Sequence, residues 1–428
     1  MLRYLHLTNV GPAPEMEAEL APRINLITGD NGLGKSFLLD IAWWALTRTW
    51  PAKVNNRLVS GLVARPRDPG KATIEFHFDG AAKTNQYISE FDRKSQAWTG
   101  RPGRPANPGL VLYAQVDGSF SLWDPARNYW RTTGNVDVSE RRPAYVFSPR
   151  EVWEGLKADD GTVLCNGLLA DWASWQKEGG TAIDWLEDVL KALSPPGDPL
   201  KPGKLTRLGI DDVRDIPTIH MPYGLDVPVL HASAGIRRIL ALAYLLVWSM
   251  REHERASEQL DQPTAGQVIF LIDELEAHLH PRWQRQILKP LLDIVQSFSD
   301  YQADVQIIAA THSPLVAASM EPIFNPALDA WFDLDLTAET PPQVQLQKRP
   351  FIRQGDASNW LTSDAFDLKE ARSLEAEKAM QDAHALLRGE IARSELQRID
   401  DALRATMPGI DPFWIRWSAF VESAQATP

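Results

Sequence analysis

Gly29-Asp30-Asn31-Gly32-Leu33-Gly34-Lys35-Ser36 is the stretch on which the reading of this chain turns. It follows the apolar run Ile24-Asn25-Leu26-Ile27. It precedes Phe37 to Thr49, where Leu38, Leu39, Ile41, Ala42, Ala45 and Leu46 recur at helical spacing, so the local order is strand, loop, helix. The octapeptide fits G-x-x-x-x-G-K-[ST] without deviation. Glycines there let backbone N–H groups turn inward around phosphate oxygens, and the helix N-terminus adds a favourable dipole. In such a loop Lys35 reaches the β- and γ-phosphates and Ser36 offers its hydroxyl to Mg²⁺, so Gly29 through Phe37 are the expected nucleotide contacts.

Working outward, Leu2, Tyr4, Leu5 and Leu7 precede the breaker run Asn9 to Pro14 and, with Ile24 to Ile27, read as two short strands around a turn. Residues 71 to 147 read as an antiparallel patch of strands: Ala72 to Phe78, Leu110 to Gln115, Ser119 to Trp123 and Ala144 to Phe147. From about Glu151 to Leu193 the apolar period turns helical, ending in the breaker-rich Ser194 to Gly203. A long helix from Ala234 to Glu258, a strand from Gln267 to Ile272, a helix from Pro281 to Phe298 and a strand from Val305 to Ala310 alternate, which implies a parallel or mixed sheet. Trp331 to Leu336 and Gln343 to Gln347 read as a strand pair, and 364 to 406 as charge-rich helix, with one helix from Leu368 to Leu387. The expected fold class is α/β. Residues 1–150 carry the first part of the core, 151–230 a helical insertion, 231–350 the rest of the core, and 351–428 a helical extension.

Three further segments carry chemistry. Val268-Ile269-Phe270-Leu271-Ile272-Asp273-Glu274 is an apolar strand delivering two adjacent carboxylates, a costly pair unless a cation or a reacting water sits there. Because successive side chains diverge on a strand, Asp273 can hold hydrated Mg²⁺ while Glu274 faces the attacking water as general base. His231-Ala232-Ser233-Ala234-Gly235-Ile236-Arg237-Arg238 opens the preceding helix, where Ser233 is also a plausible N-cap. Leu275-Glu276-Ala277-His278-Leu279-His280-Pro281 follows the acidic pair, and Ala309-Ala310-Thr311-His312-Ser313-Pro314 ends the next strand. His278 and His280 suggest a metal, but no third ligand is evident.

In this order and spacing the segments resemble the ABC ATPase superfamily, in the branch of chromosome-maintenance (SMC), RecF and anti-phage ATPases. The signature Leu-Ser-Gly-Gly-Gln is kept only at Ser233 and Gly235, which disfavours a transporter subunit. The resemblance implies an ABC-type core over residues 1 to 350, with ATP and Mg²⁺ as cofactors. It implies Lys35, Ser36, Asp273, Glu274 and His312 acting in cis, and Ser233 with Gly235 acting in trans on the ATP of a second copy in a head-to-tail homodimer. By the same resemblance 275–281 is the loop crossing that dimer, and His312 touches the γ-phosphate. The family's Mg²⁺- and water-contacting glutamine is assigned to Gln115, with Val146 to Arg150, which has no glutamine, as the competing location. Asn359 to Phe366 and Ser373 to Glu377 resemble the tail of ATPases of Septu and retron anti-phage systems, which implies a partner effector, usually a nuclease.

Composition bounds the rest. A hydrophobic fraction of 44% with 23% charged residues is ordinary for a globular chain. The apolar stretch Ile239 to Met250 is about half of what spans a bilayer, so a cytoplasmic protein without membrane contact is expected. The single Cys165 reads as a small buried hydrophobe. A net charge of -12 opposes a surface basic everywhere, leaving Arg65, Arg67 and Lys71, Arg101 and Arg104, and Lys201, Lys204 and Arg207 as loop clusters that solvent or nucleic acid (DNA or RNA) would take. A regulatory ATPase of an anti-phage or DNA-surveillance complex leads. The alternatives are a RecF-like ATPase clamping DNA directly and a self-contained nuclease of the overcoming-lysogenization-defect type using Asp333 and Asp335.

Overall fold

The run before the phosphate loop becomes Ile24–Gly29, an inner strand of an eight-stranded mixed sheet. The computed structural model describes residues 1–80, 84–100, 106–128, 141–298, 303–366 and 368–426. Across the sheet the order is Val344–Arg349, Asp329–Leu336, Ile24–Gly29, Asp304–Ala310, Gln267–Ile272, Leu110–Ala114, Phe120–Trp123 and Tyr145–Phe147. The five strands from Asp329–Leu336 to Leu110–Ala114 run parallel, and antiparallel strands close both edges. Strands covered on both faces must be apolar at successive positions, as Val268 to Ile272 are, all of them buried. Register brings the strand ends level, with Ile272 opposite both Ala114 and Ala309, and Ala310 opposite Ile27. Four consecutive strands therefore open their C-terminal loops on one edge, where open parallel sheets bind ligands.

A second sheet is antiparallel, ordered Glu15–Glu19, Leu2–Thr8, Thr73–Asp79, Thr84–Asp92 and Ala97–Trp98. The helix Lys35–Thr47 shares one core with both sheets, its Leu38, Ile41 and Trp43 clustering with Leu5, Ile74 and Phe76 from one and Ile269 and Ile308 from the other. That helix is apolar on nearly every side because it is enclosed.

Several expectations are corrected. Residues 71 to 147 are not one antiparallel patch: Thr73–Asp79 joins Leu2–Thr8, whereas Leu110–Ala114 pairs in parallel with Gln267–Ile272. Thr73–Asp79 alternates buried and half-buried positions, whereas Leu110, Val111, Leu112 and Tyr113 are all buried. The first thirty residues form three strands; Glu15–Glu19 hides its pairing with Leu2–Thr8 behind three glutamates that flank buried Met16 and Ala18. The single helix expected from Pro281 to Phe298 is two, Pro281–Gln284 and Leu288–Ser297.

The helices Pro149–Glu154, Leu168–Glu178 and Thr181–Leu193 pack with the long helix Ala234–Gln259. The stretch between them carries a small sheet of Lys201–Pro202, Thr218–His220 and Asp226–Pro228. Cys165 is buried beside the Tyr244 hydroxyl at 3.0 Å, and burial pushes its thiol up to about 12. Arg101 and Arg104 lie outside the described residues. No helix among the described residues is long and apolar enough to cross a membrane.

The chain divides into two units, Met1–Arg353, which holds everything above, and Gln354–Pro428. In the second, Leu374–Leu387, Leu396–Thr406 and Phe413–Ala426 enclose Met380, Ala383, Ile399, Leu403 and Trp417. Its first long helix starts at Leu374 rather than Leu368, because the Ser373 side chain accepts a hydrogen bond from the Ala376 N–H at 3.2 Å and caps it. The Trp417 indole donates to Asp400 at 2.9 Å, so this aromatic residue belongs to the core of its own unit.

Candidate functional site

Between Ile24–Gly29 and its helix the backbone adopts positive φ at Gly29 (127°), Gly32 (81°) and Gly34 (107°). A Cβ on Gly29 would meet the Leu334 carbonyl at 2.2 Å and one on Gly34 the Pro12 ring at 2.7 Å, whereas Gly32 faces open space. Crowding thus requires glycine at two positions, and backbone conformation alone does at the third. No side chain caps the helix and no acidic residue occupies its first turn, which leaves N–H groups for an anion. The Lys35 ammonium is buried and donates to the Gly29 and Asp30 carbonyls, both at 2.7 Å. Burial lowers its pKa, with Asp273 and Asp30 working against that shift. A cation held by two loop carbonyls suits an entering phosphate, which would strengthen the charged form.

Asp273 follows Ile272 and is buried. Burial raises its carboxyl above the usual range against a hydrogen bond from Ser36, and its Oδ1 has no hydrogen-bond partner. An orphaned carboxylate oxygen beside a serine hydroxyl is a donor set that fits a hard divalent cation such as Mg²⁺. Glu274 is half-buried with φ of 44°, a conformation a non-glycine residue adopts only when neighbours impose it. His312 is half-buried at the end of Asp304–Ala310; burial, then Lys35, lowers its imidazole pKa.

Gln115 follows Leu110–Ala114 directly, beside the acidic turn, since the Asp273 N–H donates to Ala114 at 2.9 Å. Its amide is buried, donating to Ser60 at 3.0 Å and accepting from Ser119 at 2.8 Å. Ser233 is exposed and caps Ala234–Gln259, its hydroxyl accepting from the Ile236 N–H at 3.4 Å. A Cβ on Gly235 would lie 2.4 Å from the His278 carbonyl, so the helix Ala234–Gln259 packs on the loop after the acidic pair. Leu33 is buried, Asp30 and Asn31 are exposed, and the Phe37 ring packs against Gly11. His280 caps Pro281–Gln284, its Nδ1 accepting from Arg282 at 3.3 Å. Asp333 accepts from Thr28 at 2.9 Å and, with Asp335, lies within 4 Å of the Arg349 guanidinium at 3.6 and 3.9 Å.

Two residues that hold the site together, Arg238 and Glu276, have roles that no motif in the sequence displays. Arg238, one turn into the helix Ala234–Gln259, donates to the Asp273 and Glu274 carbonyls at 2.8 and 3.2 Å, and to those of Gln115 and Val116 at 3.5 and 3.2 Å. Glu276 bonds the strand end that carries His312. Arg238 was visible as half of an Arg-Arg pair, but its partners are main-chain atoms that no motif displays.

A third carboxylate, Asp40, lies below the site with the Tyr113 hydroxyl donating to it at 3.0 Å. Burial pushes it up to about 7, that hydrogen bond opposes the rise, and Asp273 and Asp117 add to it. Raised above the unfolded value, it binds a proton in the folded state that the unfolded chain has released, so stability falls as pH climbs from about 4 to about 7. Asp40→Asn is expected to gain on the native protein over that window, by at most about 4 kcal/mol. Urea midpoints of both proteins at pH 5 and pH 8 check this; an advantage that does not grow with pH contradicts it.

A family model described as "AAA domain, putative AbiEii toxin, Type IV TA system" matches residues 24–318. The chain is 31% identical over 116 residues to Retron Vc95 probable ATPase of Vibrio cholerae serotype O1 biovar El Tor, covering 26% of this chain and 21% of that protein. It is 33% identical over 107 residues to Septu protein PtuA of Bacillus thuringiensis, covering 24% of each. The matches thus span less than a quarter of these relatives' length. Among solved structures, the SMC head domain from Thermotoga maritima aligns over 82% of this chain and 99% of its own with 14% identity and a TM-score of 0.40. RecF in the RecFOR pathway aligns over 82% and 98% with 13% identity and a TM-score of 0.37.

Proposed function

The chain belongs to that AAA domain family, and from this premise we propose that it binds and hydrolyses ATP as the regulatory subunit of an anti-phage defence complex, its two-copy, ATP-held state controlling a partner effector nuclease. The observation that carries the reading is the set of loops meeting at one sheet edge: a glycine cradle with its lysine, an orphaned Asp273 oxygen beside Ser36, Glu274, and His312.

Lys35 and the open helix N-terminus neutralise and hold the phosphates. Ser36 and Asp273 would hold Mg²⁺, which when bound supplies positive charge to the β- and γ-phosphates. Glu274 takes the proton of the attacking water, and His312 marks the presence of the terminal phosphate. Gln115, if it touches the water, must first release Ser60 and Ser119, so its position answers to a rearrangement of that turn. Ser233 and Gly235 stand at the start of a helix whose exposed serine is available to a second copy's nucleotide. Binding then closes two copies and hydrolysis parts them.

Mass photometry of Glu274→Gln with ATP and Mg²⁺ tests this. The mass is expected to double from 47.9 kDa with ATP only, and the doubling to vanish in Glu274→Gln/Ser233→Arg. A mass that ignores ATP, or a doubling that survives the arginine, overturns the composite site.

A further inference from the structure

The loop after the acidic pair is bonded to the strand end carrying His312 through side chains that the catalytic reading leaves unused. One Glu276 carboxylate oxygen accepts from the Thr311 hydroxyl at 2.6 Å and the other from the His312 backbone N–H at 2.5 Å. Around it the Ser313 N–H donates to the Thr311 hydroxyl oxygen at 3.0 Å, and the Leu275 N–H to the Ala310 carbonyl at 3.2 Å. Gln284 completes the link, accepting from the Ser313 hydroxyl at 2.6 Å and donating to the Leu279 carbonyl at 2.8 Å. The segment from Leu275 to Leu279 therefore cannot shift without dragging the backbone at 311 to 313.

The turn from Glu274 to Leu279 is held in an uncommon conformation, with positive φ at Glu274 and His278, and its His278 carbonyl packs on Gly235. Backbone of this kind persists only where contacts over-determine it. A carboxylate accepting a backbone N–H and a hydroxyl is among the stronger such contacts, since the acceptor is charged.

We propose that Glu276 is a positioning residue: its carboxylate sets the His312 backbone so that the imidazole addresses the terminal phosphate, and it transmits movement of the 275–279 loop to that histidine. The proposal rests on His312 as the γ-phosphate contact. Glu276 touches no phosphate itself and acts through its neighbour.

Its test uses the full-length Glu274→Gln protein with fluorescent mant-ATP and mant-ADP in the presence of Mg²⁺. Adding Glu276→Ala is expected to lower the preference for ATP over ADP by about tenfold while ADP affinity holds. His312→Ala should do the same, and the two together no more than His312→Ala alone, because residues acting in series do not add. Glu276→Gln, which keeps the shape and one acceptor oxygen, should recover part of the preference and guards against a folding defect. Additive losses, or equal weakening of ATP and ADP, overturn the positioning role. If His312→Ala leaves the ATP preference intact, the γ-phosphate reading of His312 falls; if only Glu276→Ala leaves it intact, that reading stands and the proposal alone is overturned.

Discussion

Replacing Glu274 by glutamine is expected to lower ATP turnover by about 10²–10⁴-fold, the usual worth of a positioned general base, while leaving ATP affinity near the native value. The two halves of that expectation come from different parts of the site. Affinity rests on the cradle of Gly29 to Ser36 and on Lys35, none of which touches the 274 side chain through a hydrogen bond. Turnover rests on a carboxylate able to take a proton, and the amide is the same size but accepts none. The backbone conformation, with φ of 44°, is expected to survive the change, because the main-chain bonds around it, from the Asp273 N–H to Ala114 and the Leu275 N–H to Ala310, and the Arg238 bond to the Glu274 carbonyl do not involve the side chain. Phosphate release under saturating ATP and mant-ATP titration measure the two halves separately. Turnover that persists within a few-fold of native would remove Glu274 as the base; lost ATP binding would mean that the substitution disturbs the cradle.

What could be read in advance follows a physical division. The phosphate loop and the acidic pair are contiguous strings whose chemistry needs neighbours in sequence, so Gly29 to Ser36 and Val268 to Glu274 stood out, as did the apolar runs that become the parallel strands. Elements whose identity depends on a distant partner did not. Glu15–Glu19 is three-fifths glutamate and becomes a strand only because Leu2–Thr8 pairs with it and buries Met16 and Ala18. Leu110–Ala114 was seen as a strand but placed in the wrong sheet, since its partner, Gln267–Ile272, lies more than 150 residues further on. The role of Glu276 depends on Thr311 and His312, 35 and 36 residues away, and Gln115 reveals its engaged amide only once Ser60 is brought beside it.

Arg238→Ala is expected to cost about 2–4 kcal/mol of stability and roughly tenfold or more in turnover. The guanidinium is largely enclosed, which lowers its pKa while Asp273 and Glu274 work against the shift, and it supplies donors to four main-chain carbonyls. Removing it takes the guanidinium donor from the Val116 and Asp273 carbonyls, whereas those of Gln115 and Glu274 keep the Gly118 and Ala277 N–H groups, and each buried polar group that loses its partner carries a desolvation penalty. The carbonyls belong to the two turns that the reaction needs in register, 115–116 and 273–274, and the donor sits on the helix that begins at Ser233. One residue thus links the helix capped by Ser233 with the turn that holds the acidic pair. Arg238→Lys should recover only part of both losses, because an ammonium lacks the planar fork that reaches paired acceptors. Thermal unfolding and phosphate release, each measured for both variants, separate the outcomes. A destabilised alanine variant that still turns over ATP at the native rate at 20 °C would reduce Arg238 to a structural clamp, and native stability together with native turnover would contradict the link altogether.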